Sequence, residues 1–157
     1  MDDVTIARAL HVLAVVHWIG GLAMVTAVIL PAIRRSQDTV RRLALFEAIE
    51  GRFSFQAKVS VTLAGLTGFY MTHRLGAWER FLDPAYWWMH AMVAIWAIFT
   101  IVLFVAEPLL LHRWFAGFAA RDPDRALAAV QRAHWLLLSL SAVTIGAAAL
   151  GAHGLLY

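Results

Sequence analysis

Residues 4–33 read VTIARALHVLAVVHWIGGLAMVTAVILPAI, an apolar run in which Arg8 is the only charged side chain. At about 1.5 Å per residue, a helix of this length exceeds the roughly 30 Å hydrocarbon core of a bilayer. The run lacks strict apolar/polar alternation. It therefore reads as a membrane-crossing α-helix, whose backbone hydrogen bonds are satisfied internally, and not as a barrel strand. Pro31 near its end and the pair Arg34 and Arg35 mark its exit from lipid.

Three more apolar stretches follow, at about 55–73, 85–112 and 125–157. The last two are preceded by Asp83-Pro84 and Asp122-Pro123, which favour a helix start. Glu107-Pro108 predicts a kink in the third. Residues 34–54 carry more charge among Ala, Leu and Phe, which predicts a short amphipathic connector lying at the interface. The four stretches consume most of the 157 residues, leaving a single transmembrane domain over 1–157 and no soluble domain. Composition agrees, with 62% hydrophobic and 15% charged residues and a mean hydropathy of +0.71, against roughly 25% charged in soluble domains. The expected fold is all-α, an integral membrane bundle of four transmembrane helices.

Cysteine is absent, which excludes disulfides, iron–sulfur clusters and thiolate metal sites. The net charge of +3 lies in short loops between apolar helices, where it sets topology, so nucleic acid is not an expected partner. Asp2 and Asp3 open the chain without a basic region or cleavage site, and no signal peptide is expected to be removed. Ten basic residues fall on one side: Arg34, Arg35, Arg41, Arg42, Arg52, Lys58, Arg113, Arg121, Arg125 and Arg132. Arg8, Arg74 and Arg80 fall on the other. The positive-inside rule then places both termini outside, in the periplasm for a bacterial inner membrane. Trp78, Tyr86, Trp87 and Trp88 read as an outer aromatic belt and Trp114, Phe115 and Trp135 as an inner one.

Because the helices alternate in direction, sequence position converts to depth. His11, His73, His90 and His153 each lie on the order of 10–14 Å from their helix centres toward the outer side, one per helix. His17 lies nearer the middle, and His112 and His134 at the inner interface. Interfacial histidines such as His73, His112 and His134 also serve as plain rim residues. Polar side chains within a span are costly and usually face the bundle interior, a cofactor or an ion path, which singles out His11, His17, His90 and His153. Converging neutral imidazoles suit axial ligation of haem iron, or copper or zinc. Small residues beside them (Gly20 and Gly21; Gly65 and Gly68; Ala142, Gly146 and Ala149) offer a lane for a flat haem and equally serve helix packing. Arg8, Arg74 and Arg80 are candidate partners for haem propionates. Met24, Met71, Met89 and Met92, in the outer half, are the thioethers a copper site would use. His11 and His17 are about 120° apart around their helix, so they suit different partners rather than one iron. Glu107, the carboxylate well inside an apolar span, reads either as a proton relay or as a helix-end carboxylate.

The run Arg8-Ala9-Leu10-His11, continuing through His17-Trp18-Ile19-Gly20-Gly21-Leu22, resembles the first helix of the HemJ-type protoporphyrinogen oxidases and the CopD-like proteins associated with copper handling. A weaker match recurs at Trp88-Met89-His90-Ala91-Met92. The resemblance implies a four-helix core and an axial haem b ligand at His11. The sequence departs from the HemJ pattern at Met92, where that family carries a lysine, and at His17, where it usually carries a serine. The expectation is a b-type cytochrome holding one or two haems near the outer face, by His11 first, then His90 and His153, then His17 and His73, with Arg74 or Arg80 near the propionates. Electron transfer with the quinone pool or a small oxidant such as superoxide or nitric oxide is the expected role, which leaves oxidoreductase as the class of any enzymatic activity. CopD-like copper binding or transport and HemJ-like porphyrinogen oxidation are the competing readings. The small-residue faces also suit a homodimer.

Overall fold

The decisive stretch becomes helix α1, Asp2–Arg35, in a computed structural model that describes residues 2–35 and 38–155. Asp2 and Asp3 sit in its first turn, where carboxylates meet the positive end of the helix dipole, and Arg34 and Arg35 occupy its last turn. Between Val25 and Ile29 the helix widens to a π turn. Pro31 explains the widening: it has no N–H to donate, and its ring would collide with the carbonyl four residues back in a regular α-helix.

Helix α2 spans Thr39–Arg74 without a break. The Asp38 carboxylate caps it by accepting the Arg41 N–H at 3.1 Å. Gly76, at φ +61°, follows its end in the left-handed conformation that favours glycine. The separate interfacial connector expected over 34–54 is therefore not found. No proline interrupts α2, and Phe46 packs in a core cluster with Val25, Leu30, Ile33 and Leu127, so this segment extends the bundle instead of leaving it.

Two 3₁₀ turns, Ala77–Leu82 and Pro84–Tyr86, lead into helix α3, residues 87–119. Its centre, Val102–Leu111, is a ten-residue π segment around Pro108. The kink expected at Glu107-Pro108 thus takes the form of a widened helix, for the same reason as in α1. Helix α4 is Pro123–Ala152, with Asp122 accepting the Arg125 N–H at 3.0 Å and Pro123 at the first position. The helix stops at Ala152, capped by His153 and followed by a turn with Gly154 at φ +74°, short of the expected continuation toward Tyr157, whose last two positions lie outside the described residues.

Among the described residues there is no β-strand, and three helices are long and apolar enough to cross a membrane: Asp2–Arg35, Pro84–Leu110 and Pro123–Ala152. Helix α2 has the length, but Arg41, Arg42, Glu47, Glu50, Arg52 and Lys58 charge its first twenty residues. Trp18 and Leu22 of α1, Ala57 and Val61 of α2, and Phe99 and Leu103 of α3 form the central cluster, with Trp18 and Phe99 edge to face at 4.6 Å. Trp88, expected in the outer belt, is buried instead, clustering with Met89 and Ala147 where Gly151 leaves room for its indole. Trp78, Trp87, Trp114 and Trp135 are exposed, as belt residues are.

Candidate functional site

Helices α1 and α2 run antiparallel in close contact, and this packing places the two first-helix histidines. His11 is half-buried, with Nδ1 2.9 Å from the Ala64 carbonyl and 3.1 Å from Thr67 Oγ1. A carbonyl only accepts, so Nδ1 carries the proton and donates, which leaves Nε2 with its lone pair. His153 and His134 are set the same way, by the carbonyls of Ala149 at 2.7 Å and Val130 at 2.9 Å. This is the tautomer a metal ligand needs, because the hydrogen bond made by one ring nitrogen fixes the other for coordination.

His17 lies on the adjacent stripe of α1, its Nδ1 2.8 Å from Ser60 Oγ. It opens into a groove of about 390 Å³ between α1 and α2. Leu10, Leu13 and Ala14 form one wall and Phe55, Val59 and Leu63 the other, with His17, Gln56 and Ser60 as the polar members. The groove faces outward from the bundle. Ser60 escaped the sequence reading. Its signal was a small hydroxyl in the apolar part of a helix that must pack on α1, where an unpaired polar group is costly.

The remaining expected site residues do not gather there. His90 is exposed, with Phe81 edge-on to its ring at 5.2 Å, and His73 is exposed in the last turn of α2. His153 is exposed at the end of α4. Arg74 pairs with Asp3 at 2.7 Å, while Tyr70 donates to the same carboxylate at 2.8 Å. The Tyr70 hydroxyl first, and the Arg74 guanidinium next, hold the Asp3 carboxyl well below the usual carboxylate range. Arg80 stacks over the Tyr86 ring at 5.2 Å. Among the described residues no three His, Asp or Glu side chains come together as a group able to hold a metal ion. The His112 side chain lies outside the described residues.

The glycines do not line an open lane inside the bundle. A β-carbon at Gly21 would meet Phe53, at Gly65 would meet Trp96, at Gly68 would meet His11, and at Gly151 would meet Trp88. Ala142, Gly146 and Ala149 share an exposed face of α4 with His153. Met89 is packed in the Trp88 cluster, with Met92 against it.

A second polar group lies toward the basic end. The Ser54 hydroxyl is 2.6 Å from both oxygens of Glu107, and Lys58 Nζ is 3.1 Å from Glu107 Oε1. Sequence reading had isolated Glu107 and counted Lys58 among the topology charges. The missed signal is the i,i+4 spacing of Ser54 and Lys58, which puts both on one face of α2.

Comparison with protein-family models, curated proteins and solved structures finds no match to this chain.

Proposed function

We propose that this chain is a multi-pass membrane protein that holds haem b in the groove between α1 and α2 and takes part in one-electron redox chemistry. α2 crosses the bilayer with its 55–73 portion as the fourth span. The basic ends face the cytoplasm and both termini the outer side of a bacterial inner membrane. The observation that carries the haem reading is His17: an imidazole anchored at Nδ1 by Ser60, at the edge of an apolar groove of about 390 Å³. His17 is itself exposed on this outward-facing groove, and what supports the reading is one oriented nitrogen ligand among apolar walls. In that groove His17 would be the residue that holds the group, through its free ring nitrogen. Bound there, haem would supply reversible one-electron chemistry. Ser60 holds the imidazole orientation, and Leu10, Leu13 and Leu63 give the groove its apolar lining. His11 belongs to the α1–α2 seam and steadies the helix that presents His17.

A reduced-minus-oxidised visible spectrum of the detergent-purified chain, expressed with ample haem, tests this together with pyridine-haem quantification. A sharp reduced band, with one haem per chain that His17→Ala removes, is the expected result. A flat spectrum overturns the haem reading and directs attention to copper at the same imidazoles. A haem content unchanged by His17→Ala overturns the assignment of the groove.

A further inference from the structure

Glu107 is 8% exposed and Ser54 4%, whereas the Lys58 side chain retains 30% of its exposure. A carboxylate, a hydroxyl and an ammonium thus meet at one point, with one member, the lysine, reaching the surface. The pair sits where α3 is widened into a π segment, a departure from α geometry that recurs at functional positions. On α3 itself Arg113 follows, and the His112 side chain lies outside the described residues. Helix α1 has no carboxylate, lysine or arginine between Arg8 and Arg34, and α4 has no titratable side chain between His134 and His153. Glu50 and His134 line a small neighbouring pocket with Phe53, and Arg52 is exposed.

We infer that Ser54, Lys58 and Glu107 form a proton-exchange site, through which a proton moves between a buried carboxyl and the water at the basic end of the bundle. The inference rests on the membrane-spanning part of the reading above and not on haem. Separating an ion pair from water costs several kcal/mol per charge before attraction repays it, while a neutral amine beside a neutral carboxylic acid carries no such cost. The two forms are one proton transfer apart. An N–H bond of the Lys58 ammonium breaks and its electron pair stays on Nζ, while an O–H bond forms at Glu107 Oε1. The amine then takes a proton from a hydronium ion at its exposed side, and a water molecule is released. The Ser54 hydroxyl donates to the carboxyl in either state, so the acceptor stays in place as its charge changes.

The test uses the full chain in vesicles of phosphatidylcholine and phosphatidylglycerol, with infrared difference spectra recorded between neutral and acidic buffer in H₂O and in D₂O. The expected result is a carboxylic-acid C=O band that shifts in D₂O, is absent from Glu107→Gln and moves in frequency in Ser54→Ala, where a hydrogen bond to the carboxyl is lost. Lys58→Met slows its deuterium exchange by on the order of a hundredfold. The inference is overturned if no band depends on Glu107 at any pH where circular dichroism shows the helices intact. It is also overturned if Ser54→Ala leaves the band unmoved, or if exchange in Lys58→Met matches the native rate. Should Glu107→Gln fail to fold, the Ser54→Ala shift and the Lys58→Met rate decide. Carbonate extraction of the same vesicles reads the membrane assignment separately.

Discussion

The indole of Trp96 occupies the space a side chain would need at Gly65. A β-carbon built there would lie 2.6 Å from Trp96 Nε1, and that N–H donates to the Val61 carbonyl at 3.0 Å, so the ring is pinned and cannot swing aside. Gly20, by contrast, has nothing within 4 Å of a built β-carbon. Gly65→Ala is expected to destabilise by about 1–3 kcal/mol through overpacking. Gly20→Ala is expected to be neutral or to stabilise by up to about 1 kcal/mol through helix propensity. Thermal unfolding of the two variants in the same detergent checks the contrast, and equal losses would show that the Trp96 contact does not set the cost.

The Lys58–Glu107 pair predicts a non-additive pattern of stability. Lys58→Met removes a cation from a buried carboxylate and is expected to cost about 1–3 kcal/mol. Lys58→Met combined with Glu107→Leu removes both charges and is expected to recover much of that loss, since an apolar pair of similar volume replaces a buried ion pair at little cost. A double-mutant cycle in denaturant reads the coupling, and additive losses would rule out a direct interaction.

The Asp3 clasp predicts a pH dependence at the N-terminal end of α1. Its folded-state acidity is strengthened by Tyr70 and Arg74, so the stabilisation is complete above the ordinary carboxylate range near about pH 4 and is lost as pH falls below it. Asp3→Asn is expected to flatten the acid limb of a melting-temperature profile while leaving the neutral-pH fold intact. An acid limb identical in native and variant chains would show that other carboxylates carry it.

Ser60→Ala leaves His17 in place but frees its ring to rotate. Haem affinity is expected to fall by about tenfold to a hundredfold, the usual cost of losing the partner that orients a ligand. Haem titration of the apoprotein measures this, with circular dichroism as the check that the helices persist. Unchanged affinity would mean that Ser60 does not orient the ligand.

The helices were legible because hydrophobic length and the Asp-Pro starts are local signals, and Asp122-Pro123 opens α4 as its residues suggest. The continuity of α2 was not. Charge over 34–54 argued for an interfacial segment, yet Phe46 finds a pocket among Val25, Leu30, Ile33 and Leu127 that becomes visible only when three helices are assembled. The directions in which the histidines face were not legible in the sequence. His11 and His17 both turn toward α2, while the faces of α3 and α4 that carry His90 and His153 turn outward, because packing of Trp88 into Gly151 sets the rotation of those two helices. Gly65 and Gly68 read alike in sequence, but one receives an indole and the other an imidazole.

The unbroken length of α2 has a mechanical consequence. Its 36 residues make a rod of about 54 Å, nearly twice the roughly 30 Å of a hydrocarbon core. Taking Ser60 as the pivot beside His17, about 20 Å of rod extends toward Arg74 and about 30 Å toward Asp38. Any displacement imposed where Arg74 meets Asp3 would be delivered, enlarged by about a third, to the far arm where Arg42 holds Asp124 at 2.6 Å. The helix is a lever with its fulcrum at the groove, and the ion pairs at its two ends are geared together through it.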